Sequence, residues 1–375
     1  MKSIFLLTNI YDDNIEIGIT KKVHQQIEAL LSLGFDKICY TSYFNDGIGV
    51  IDFNSREIIY KEKYKMAANL RNVTKNYELK RMAYNYLNAI GIQFDFVYCR
   101  YIFFDQLFLK FLKIAKCNSN KIILEAHSFP IYSKHDFMMY PIYLMDRLYR
   151  NKCSRYIDCV AAISDRKNIF GINTVSIDNG INQSLYPLKK SKIKSNEIIL
   201  VFVGYEYNVH GLDRLLKGLK NYCLEKKDYT IKLYLVGKLL SSTRKKIIKY
   251  NLQKYVIITG VLSGDELDRI FDQADIGIGG LAPYRRNSHI GTGLKTKEYF
   301  ARGLPVCIAG RSLTFNSCCK YILEIPNNSS PVNIDELVTF YESLYESKDF
   351  NKEIKKMSKM STWERQMGKI FEELK

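Results

Sequence analysis

The sequence lacks several features that would assign it to a specialised class of protein. Its nine cysteines are scattered over 375 residues, and none of them forms a C-x-x-C pair. Scattered thiols favour free, reduced cysteines over a disulfide framework or a structural zinc site. Only seven prolines occur, and the chain has no internal repeat and no low-complexity segment. We therefore expect an ordinary globular protein without a structural metal.

Long apolar runs are also missing. No stretch of 18 apolar residues occurs, so no segment is expected to span a membrane. The first nine residues become polar too soon for a signal peptide and are typical of a buried strand. We expect a cytoplasmic protein that is either free or peripheral on the inner face of the cell membrane.

Acidic residues are too few to balance the basic ones, and the formal net charge is +17. Nucleic acid, anionic lipid and phosphorylated substrates are all compatible with this sign. The basic residues are dispersed, and no helix-turn-helix, RNP-type strand or zinc finger accompanies them, so a nucleic-acid partner is not expected. Tyr60–Lys65 and Tyr101–Lys116 mix aromatic with basic residues. Such segments could lie on an anionic membrane, or they could turn an apolar side to the core and a basic side to solvent.

Strand-like and helix-like segments alternate along the whole chain, which predicts parallel sheets covered by helices. Two successive sets of this alternation predict an α/β protein with two doubly wound, Rossmann-like domains. We place these domains at residues 1–185 and 186–350, with a basic polar linker at 187–196 and a last helix in 351–375. Ligands of such sheets bind at the carboxyl ends of the strands, so the cleft between two facing domains is the expected site.

Two local patterns refine this assignment. Ser263-Gly-Asp-Glu266 has the spacing of a capping box and predicts the start of a helix at 264–273. The apolar periodicity near the end of the chain predicts one continuous helix over residues 351–374.

The segment Gly291–Gly303 joins a glycine-rich loop to a short helix that ends at a glycine. A helix start points free N–H groups at an anion, and glycines at 291 and 293 let a ligand approach the backbone closely. Lys295 adds positive charge, and Glu298, one turn further in, can accept two hydrogen bonds from a cis-diol. This combination favours a nucleoside diphosphate with its ribose over an ordinary helix with a solvated glutamate. The candidate donor-binding residues in this segment are Gly291, Thr292, Gly293, Leu294, Lys295 and Glu298.

A second strand-to-helix connection follows the strand expected at 198–204. It contains Gly204, His210 and Gly211, and it opens a helix near residue 211. Such a helix start is a second candidate anion site, at which His210 could donate to a phosphate oxygen. The alternative for His210 is a turn histidine without a functional role.

Polar residues end two neighbouring strands of the first half. Glu125 lies inside the strand expected at 121–127, where an unpaired charge is costly, and His127 lies at its tip. Arg100 ends the preceding strand at a similar height. We interpret Arg100, Glu125 and His127 as candidate acceptor-binding residues, with a purely structural role as the alternative. Gly18, just before the first helix, leaves room for a ligand against the backbone.

The string Gly-Leu-Lys-x-x-Glu-Tyr-x-Ala-x-Gly-x-Pro-Val at 293–306 resembles the retaining glycosyltransferases of family 4 (group 1), which have the GT-B fold. The resemblance covers almost the whole chain. Residues 125–130, 179–182 and 210–215 are similar to enzymes of bacterial capsule and O-antigen synthesis. The resemblance implies two Rossmann-like domains that face each other across a cleft, with the donor bound by the C-terminal domain. It also implies a last helix that crosses back onto the N-terminal domain.

The resemblance assigns roles to individual residues. Glu298 falls on the second glutamate of the family's Glu-x7-Glu motif, which binds the ribose of the donor. The first glutamate, which usually handles the donor sugar, falls on Ile290, where this chain departs from the family. His127 matches the family's strand-end histidine near the reacting sugar, and Gly18 matches its first-helix glycine.

A second departure concerns the diphosphate. The family tends to carry an arginine after the first strand of the second domain and a lysine before the next helix. These positions fall on Tyr205 and His210 here. The diphosphate charge would then be met by Lys295, Arg285 or Arg286. We therefore count Tyr205, His210 and Arg286 among the donor-binding candidates.

These features together predict a retaining glycosyltransferase of the hexosyltransferase type. It would move a sugar from a nucleotide-diphosphate sugar, expected to be a UDP-sugar, to a glycan or lipid-linked acceptor in the synthesis of capsule, O-antigen or lipopolysaccharide. The catalytic candidates are His127, Lys295 and Glu298, and the resemblance implies no metal and no other cofactor. The alternatives are a nucleotide-sugar epimerase, a phosphorylase, and a non-catalytic partner subunit, the last suggested by Ile290.

Overall fold

The structure is a computed structural model that describes residues 2–12, 18–65, 72–126, 139–225, 227–291, 293–315, 319–347 and 349–374. The chain divides into two compact units, one of residues 1–178 with 363–375 and one of residues 179–362. The units thus separate after Asp178 and Thr362, whereas the sequence-based division falls after residues 185 and 350.

The described residues form fifteen strands, nine in the sheet of the first unit and six in the sheet of the second. They are β1 (Lys2–Tyr11), β2 (Phe35–Tyr43), β3 (Gly47–Asp52), β4 (Ile58–Lys63), β5 (Phe94–Arg100), β6 (Ser119–Ala126), β7 (Cys159–Ala162), β8 (Asn168–Ile169), β9 (Ile172–Ser176), β10 (Glu197–Val203), β11 (Thr230–Val236), β12 (Val256–Gly260), β13 (Ile276–Ile278), β14 (Val306–Ala309) and β15 (Ile322–Ile325).

The helices cover these sheets. They are α1 (Gly18–Ser32), α2 (Asn72–Ile90), α3 (Gln106–Cys117), α4 (Tyr140–Ser154), α5 (Leu212–Tyr222), α6 (Ser241–Lys249), α7 (Gly264–Gln273), α8 (Leu294–Ala301), α9 (Ile334–Leu344), α10 (Phe350–Met357) and α11 (Trp363–Glu373).

The first unit has the strand order β4-β3-β2-β1-β5-β6-β7-β9-β8. Its central strands run parallel, but β3, β4 and β8 join antiparallel at the two edges. The expectation of parallel sheets therefore holds for the central strands and is wrong at these edges. The reason is the length of the connections, because only a few residues separate β2 from β3 and β8 from β9, and a parallel crossover needs a dozen or more.

Apolar side chains cover both faces of the first sheet. On one face, Val23 and Ile27 of α1 pack with Trp363 and Met367 of α11. On the other face, α2 and α3 contribute Leu79 and Phe108 together with other buried residues. Helix α11 is thus part of the first unit, although the residues directly before it, 179–362, form the second.

The second unit has the strand order β12-β11-β10-β13-β14-β15, and every pair is parallel. Counted from β10, this is the order 3-2-1-4-5-6 of a nucleotide-binding Rossmann sheet. The strand order reverses between β10 and β13. Ligands of such sheets bind at the carboxyl ends of the strands beside this reversal, so the segments after β10 and β13 are the first place to look for a site.

The last helix differs from the expectation. Residues 350–373 form α10 and α11, separated by a 3-10 turn at Ser358–Ser361 and by Thr362 in an extended conformation. The Ser358 hydroxyl donates to the Lys355 carbonyl, and the Ser361 hydroxyl donates to the Ser358 carbonyl. Serine hydroxyls that bond nearby carbonyls compete with helical hydrogen bonding, which accounts for the break.

The helix predicted at the start of α7 forms, but the prediction of a capping box is wrong because the capping hydrogen bond is not made. Ser263 is the N-cap residue and has the extended backbone of a cap, but its side chain makes no capping hydrogen bond. Asp265 and Glu266 lie in the first turn, where acidic side chains interact favourably with the helix dipole.

The aromatic and basic segment at 101–116 turns its apolar side to the core. Phe108, Phe111 and Leu112 of α3 are fully buried, whereas Lys110 and Lys113 are exposed. Of the two alternatives for this segment, the structure therefore supports a core-facing stripe with a basic side in solvent. No helix among the residues that the structure describes combines the length and apolarity that a membrane span requires.

Candidate functional site

Helix α8 begins with a backbone that is open on one side. Its N-cap residue, Gly293, is extended and supplies no capping side chain, and a Cβ placed there would have no atom within 4 Å. A Cβ at Gly291 would lie 2.2 Å from the Ala309 carbonyl oxygen, so only glycine fits that position. Leu294, the first helical residue, is partly exposed, and Thr292 lies outside the described residues. The helix start has the form of an anion site.

Lys295 places a buried ammonium in the first turn of α8. Its Nζ is buried and has no hydrogen-bond partner among the residues that the structure describes. The Nζ lies 3.6 Å from the centroid of the Phe202 ring and 3.9 Å from where a Cβ on Gly204 would stand. Burial lowers the pKa of Lys295 to about 7, so the charged and neutral forms coexist near neutral pH.

Glu206 is the acidic residue whose charge acts on Lys295, and it opposes the lowering of the lysine pKa. Its carboxylate accepts hydrogen bonds from the Leu240 N–H at 2.9 Å and from the Thr243 hydroxyl at 2.5 Å. Glu206 therefore interacts with Lys295 through space and makes no ion pair with it. The ammonium keeps donors that an anionic ligand could use.

His210 ends the 3-10 turn that precedes α5. Its Nδ1 lies 3.0 Å from the backbone N of Tyr207 and accepts a hydrogen bond from it. Burial, and then the charges of Lys295 and Arg286, lower the pKa of His210 to about 3. The ring is therefore neutral at physiological pH, and with Nδ1 accepting, the proton is assigned to Nε2. His210 offers a neutral N–H donor beside the Lys295 ammonium.

Two glycines shape the connection after β10. Gly204 and Gly211 have φ of +119° and +65°, a region that L side chains rarely adopt. A Cβ at Gly211 would come within 3.0 Å of Leu281 and Ala282, which follow β13. The start of α5 therefore packs directly on the loop after β13. Tyr205, between the two glycines, is exposed.

The two arginines of the 3-10 turn at residues 283–286 differ in their partners. Arg285 holds both carboxylate oxygens of Asp213, at 2.9 and 2.7 Å, and also donates to the Asn208 carbonyl. Arg286 is exposed, makes no ion pair within the described part of the chain, and acts electrostatically on His210. The charge of Arg285 is thus compensated within the protein, and Arg286 is the better candidate for an anionic ligand.

The family's two glutamate positions both lie close to arginines. Glu298 is half-buried, and its Oε1 accepts from Arg302 Nε at 3.2 Å, while Arg302 also pairs with Asp268 at 2.6 Å. Its Oε2 makes no hydrogen bond to the residues that the structure describes, so one oxygen remains for a ligand. Ile290 pairs with Arg311 through a short β-bridge and brings no carboxylate to the site.

The candidates of the first unit form a buried polar cluster at the ends of β5 and β6. Glu125 has no exposed surface, and its carboxylate accepts from Lys22 Nζ at 2.6 Å, the Tyr98 hydroxyl at 3.1 Å and Gln26 Nε2 at 3.4 Å. Arg100 pairs in register with Glu125, is 3% exposed, and leaves Nε and Nη1 without a hydrogen-bond partner among the described residues. The geometry gives Glu125 a structural role, and a direct contact with an acceptor stays a prediction.

Two further candidates are placed only in part. Gly18 is the exposed first residue of α1, and a Cβ there would have no atom within 4 Å. His127 lies outside the described residues. Sequence reasoning missed Phe202, Glu206 and Lys22, because their importance depends on a contact across two elements and no local pattern marks it.

The second unit carries a recognisable family domain. Residues 197–312 match the family model of the Glycosyl transferases group 1. This range runs from the start of β10 past the end of β14 and includes α8 and both glycine-rich connections, but it covers less than half of the chain. A comparison with curated protein sequences gives no match.

Several solved structures resemble the whole chain. Sucrose-phosphate synthase from Thermosynechococcus elongatus has a TM-score of 0.65 at 15% identity, and the match covers 100% of this chain and 99% of the other. Anabaena HepE in complex with UDP has a TM-score of 0.58 at 14% identity, and the match covers 100% of this chain and 99% of the other. The catalytic domain of starch synthase IV from Arabidopsis thaliana, bound to ADP and acarbose, has a TM-score of 0.63 at 10% identity, with 100% and 98% covered. Identities this low show the fold alone. The predicted fold class, GT-B with two Rossmann-like domains, is confirmed.

Proposed function

We propose that this chain is a retaining glycosyltransferase that uses a nucleoside-diphosphate sugar, with a UDP-sugar as the first candidate. The observation that carries the proposal is the buried Lys295 ammonium at the start of α8, which has no counter-ion in contact among the residues that the structure describes. A buried charge without a partner is costly in the folded protein, and a diphosphate would compensate it. The group 1 family match over residues 197–312 supports the same interpretation.

The residues around Lys295 suit a leaving diphosphate. The start of α8 contributes backbone N–H groups and the positive end of a helix dipole, and Lys295 contributes a full charge. His210 adds a neutral Nε2–H donor, and Arg286 adds a second cation at the exposed rim. Fixed donors of this kind stabilise charge that develops on the leaving group, which is usually the largest contribution to catalysis of such a step. We assign this stabilisation to these side chains and to α8, without a metal ion.

The proposed transfer needs no covalent bond between the sugar and the enzyme. The bond between the anomeric carbon and the diphosphate oxygen breaks, and the acceptor hydroxyl oxygen bonds to the same carbon on the same face of the sugar. The acceptor proton passes to the departing diphosphate. Glu298 would hold the ribose through Oε2 while Arg302 fixes Oε1, and His127 would lie near the reacting sugar by family resemblance.

The acceptor would be a glycan or a lipid-linked saccharide of a bacterial surface polysaccharide, such as capsule, O-antigen or lipopolysaccharide. The first unit supplies the acceptor-side candidates. Among them, Arg100 offers guanidinium N–H groups without partners in the described residues. This role would place the protein in the cytoplasm or on the inner face of the membrane.

The purified protein should bind and turn over a nucleotide sugar. A panel of nucleotide sugars would be screened for thermal stabilisation, and transfer would then be followed with the best donor and a set of saccharide acceptors. Analysis of the anomeric configuration tests retention, and equal rates with and without a chelator test the metal-free assignment. Product analysis without acceptor distinguishes the epimerase and phosphorylase alternatives.

Glu298→Ala tests the site itself. Loss of a charge-assisted contact to the ribose, worth about 1.5–3 kcal/mol, should raise the donor KM roughly 10- to 100-fold. Glu342→Ala, which removes an exposed carboxylate of α9, is the matched control and should leave KM unchanged. An unchanged donor KM in a folded Glu298→Ala protein would remove this site assignment.

A non-catalytic partner subunit with this fold is the second candidate. It is favoured by Ile290, which stands where the resembling family carries the glutamate that handles the donor sugar. Such a subunit would keep donor binding without turnover, or would lose both. Transfer or donor hydrolysis by the purified chain alone would exclude it.

A further inference from the structure

Helix α4 exposes an apolar surface to solvent. Tyr140, Leu144, Met145 and Leu148 are 67%, 51%, 45% and 62% exposed, and no other element among the described residues exposes more than two large apolar side chains. Tyr140, Leu144 and Leu148 follow one another at intervals of four residues, so they lie on one face of the helix. Single exposed apolar residues are ordinary, whereas a contiguous stripe of them indicates an interaction surface.

The opposite side of α4 fixes this orientation. Asp146 is fully buried and accepts hydrogen bonds from the Tyr101 hydroxyl and from the Phe104 N–H, the latter at 2.8 Å. Its second oxygen accepts from Arg150 at 2.9 Å, and Cys153 is buried on the same side. Because a buried, fully bonded carboxylate cannot rotate outward cheaply, the apolar stripe is held in solvent.

The charges beside the stripe have one sign. Arg147, Lys152 and Arg155 are exposed on or directly after α4, and the only acidic residue of the helix is the buried Asp146. Helix α3, which packs against α4, has three lysines and no acidic residue. All exposed charges of α3 and α4 are therefore basic. An apolar stripe with basic side chains beside it is complementary to an anionic lipid surface, in which apolar groups enter the acyl boundary and cations meet the headgroups.

We propose that this face of α4, made of Tyr140, Leu144, Met145 and Leu148 with its basic border, docks on an anionic membrane. A protein partner would need acidic groups around an apolar centre, and a second copy of this chain would bring like charges together. The net charge of +17 works against self-association in the same way. An anionic bilayer meets both the apolar and the electrostatic demands of the face.

The position of this face also bears on the kind of acceptor, and this part of the inference rests on the proposed function. Asp146 of α4 bonds to Tyr101 and Phe104, which directly follow β5, so α4 lies at the carboxyl edge of the first sheet. Arg100 and Glu125 lie at the same edge. A lipid surface held by α4 would therefore lie beside the acceptor candidates and would favour an acceptor with a membrane-embedded lipid anchor.

Vesicle binding tests the proposal without any transfer assay. The full-length protein would be sedimented with vesicles of phosphatidylcholine alone or of phosphatidylcholine mixed with phosphatidylglycerol. We expect binding to the mixed vesicles only. Leu144→Ser with Leu148→Ser should reduce the apparent affinity at least tenfold. Leu224→Ser with Ile248→Ser, which removes two apolar side chains of the second unit that are at least as exposed, is the matched control and should bind like the unmodified protein.

Two further measurements identify the mode of binding. Raising the salt from about 0.1 to 1 M shortens the Debye length from roughly 10 to 3 Å and should weaken binding several-fold. In Leu144→Trp, a fluorescence blue shift on mixed vesicles, quenched by brominated lipid, would place position 144 at the acyl boundary. The buried Trp363 is the only other tryptophan and should stay unchanged.

Contrary outcomes are clear. No binding to mixed vesicles, or equal binding by the Leu144→Ser/Leu148→Ser protein, would overturn the proposal. A concentration-dependent dimer that this double substitution abolishes would assign the face to a second copy instead. Donor binding measured in solution in the same proteins reports on the second unit, so failure of the membrane proposal and failure of the proposed function are distinguishable.

Discussion

Donor affinity should fall as the pH rises through about 7, because the Lys295 amine must be protonated to bind a diphosphate. In the free protein, burial lowers the pKa of Lys295 to about 7, and its Nζ has no hydrogen-bond partner among the described residues. A bound diphosphate would supply a close negative charge and raise this pKa again. Binding is therefore linked to uptake of a proton, and it weakens wherever the free protein has lost that proton.

The size of the effect follows from the pKa. One pH unit below about 7, roughly nine tenths of the Lys295 side chains are charged, and one unit above it roughly one tenth are. The dissociation constant for a nucleotide sugar should thus rise about tenfold between pH 6 and pH 8. His210 does not titrate in this window, since its pKa is lowered to about 3. The diphosphate of a nucleotide sugar also stays fully ionised there.

Isothermal titration calorimetry measures both consequences. Titrations across this pH range give the slope of affinity, and titrations at pH 7 in buffers of different ionisation enthalpy should show uptake of roughly half a proton. Lys295→Arg is the matched control, because a guanidinium stays charged at every pH used and the slope should vanish. Lys295→Met should lose both affinity and slope. A constant affinity in the unmodified protein, or a slope that survives in Lys295→Arg, would refute the reasoning.

Two stability predictions follow from contacts in the two units. Glu125→Ala should lower the free energy of unfolding by about 3–5 kcal/mol, because it leaves Lys22 buried without its carboxylate, and a loss under about 1 kcal/mol in urea denaturation would contradict this. Gly218→Ala should lower the melting temperature, because its Cβ would lie 2.1 Å from the Val332 carbonyl oxygen. Gly368→Ala, also within a helix but with no atom closer than 3.9 Å, is the matched control and should be neutral or stabilising by about 0.5–1 kcal/mol.

The fold class could be predicted because apolar periodicity is a local property of the sequence. Strand β10 and helix α5, for instance, lie within one residue of where the periodicity puts them. The strand order could not be predicted, because the position of β13 beside β10 depends on packing between segments some 70 residues apart. The antiparallel edges and the break at Ser358–Ser361 were missed because they depend on a short connection and on serine side-chain hydrogen bonds.

The site could be predicted only as far as backbone geometry determines it. The glycines at 204, 211, 291 and 293 mark close approaches, and the structure gives a conformational or steric reason for three of them. The environment of Lys295 is different. A lysine in the first turn of a helix is ordinarily solvated, whereas the Nζ of Lys295 is buried and lies over the Phe202 ring of β10, a contact that no local pattern marks. The outward stripe of α4 was missed for the converse reason, since apolar residues at helical spacing usually face a core.

Lys22 in the first unit and Lys295 in the second illustrate the difference between a structural charge and a functional one. Burial lowers the pKa of both Lys22 and Lys295. Lys22 compensates the cost with a carboxylate at 2.6 Å, and Glu125 is in turn fully enclosed by donors. Lys295 has no carboxylate in contact among the described residues, and Glu206, which acts on it through space, has its oxygens already bonded to Leu240 and Thr243.

A buried lysine with a purely structural role is expected to be paired with a carboxylate, as Lys22 is, because an unpaired buried charge lowers stability. Such a cost is tolerated where a ligand removes it, and strongly shifted pKa values accordingly cluster at functional sites. Lys295 lies at the start of α8, beside the neutral N–H of His210. A ligand that these donors bind would be an anion. The pH dependence of donor binding is for this reason the sharpest test of the site.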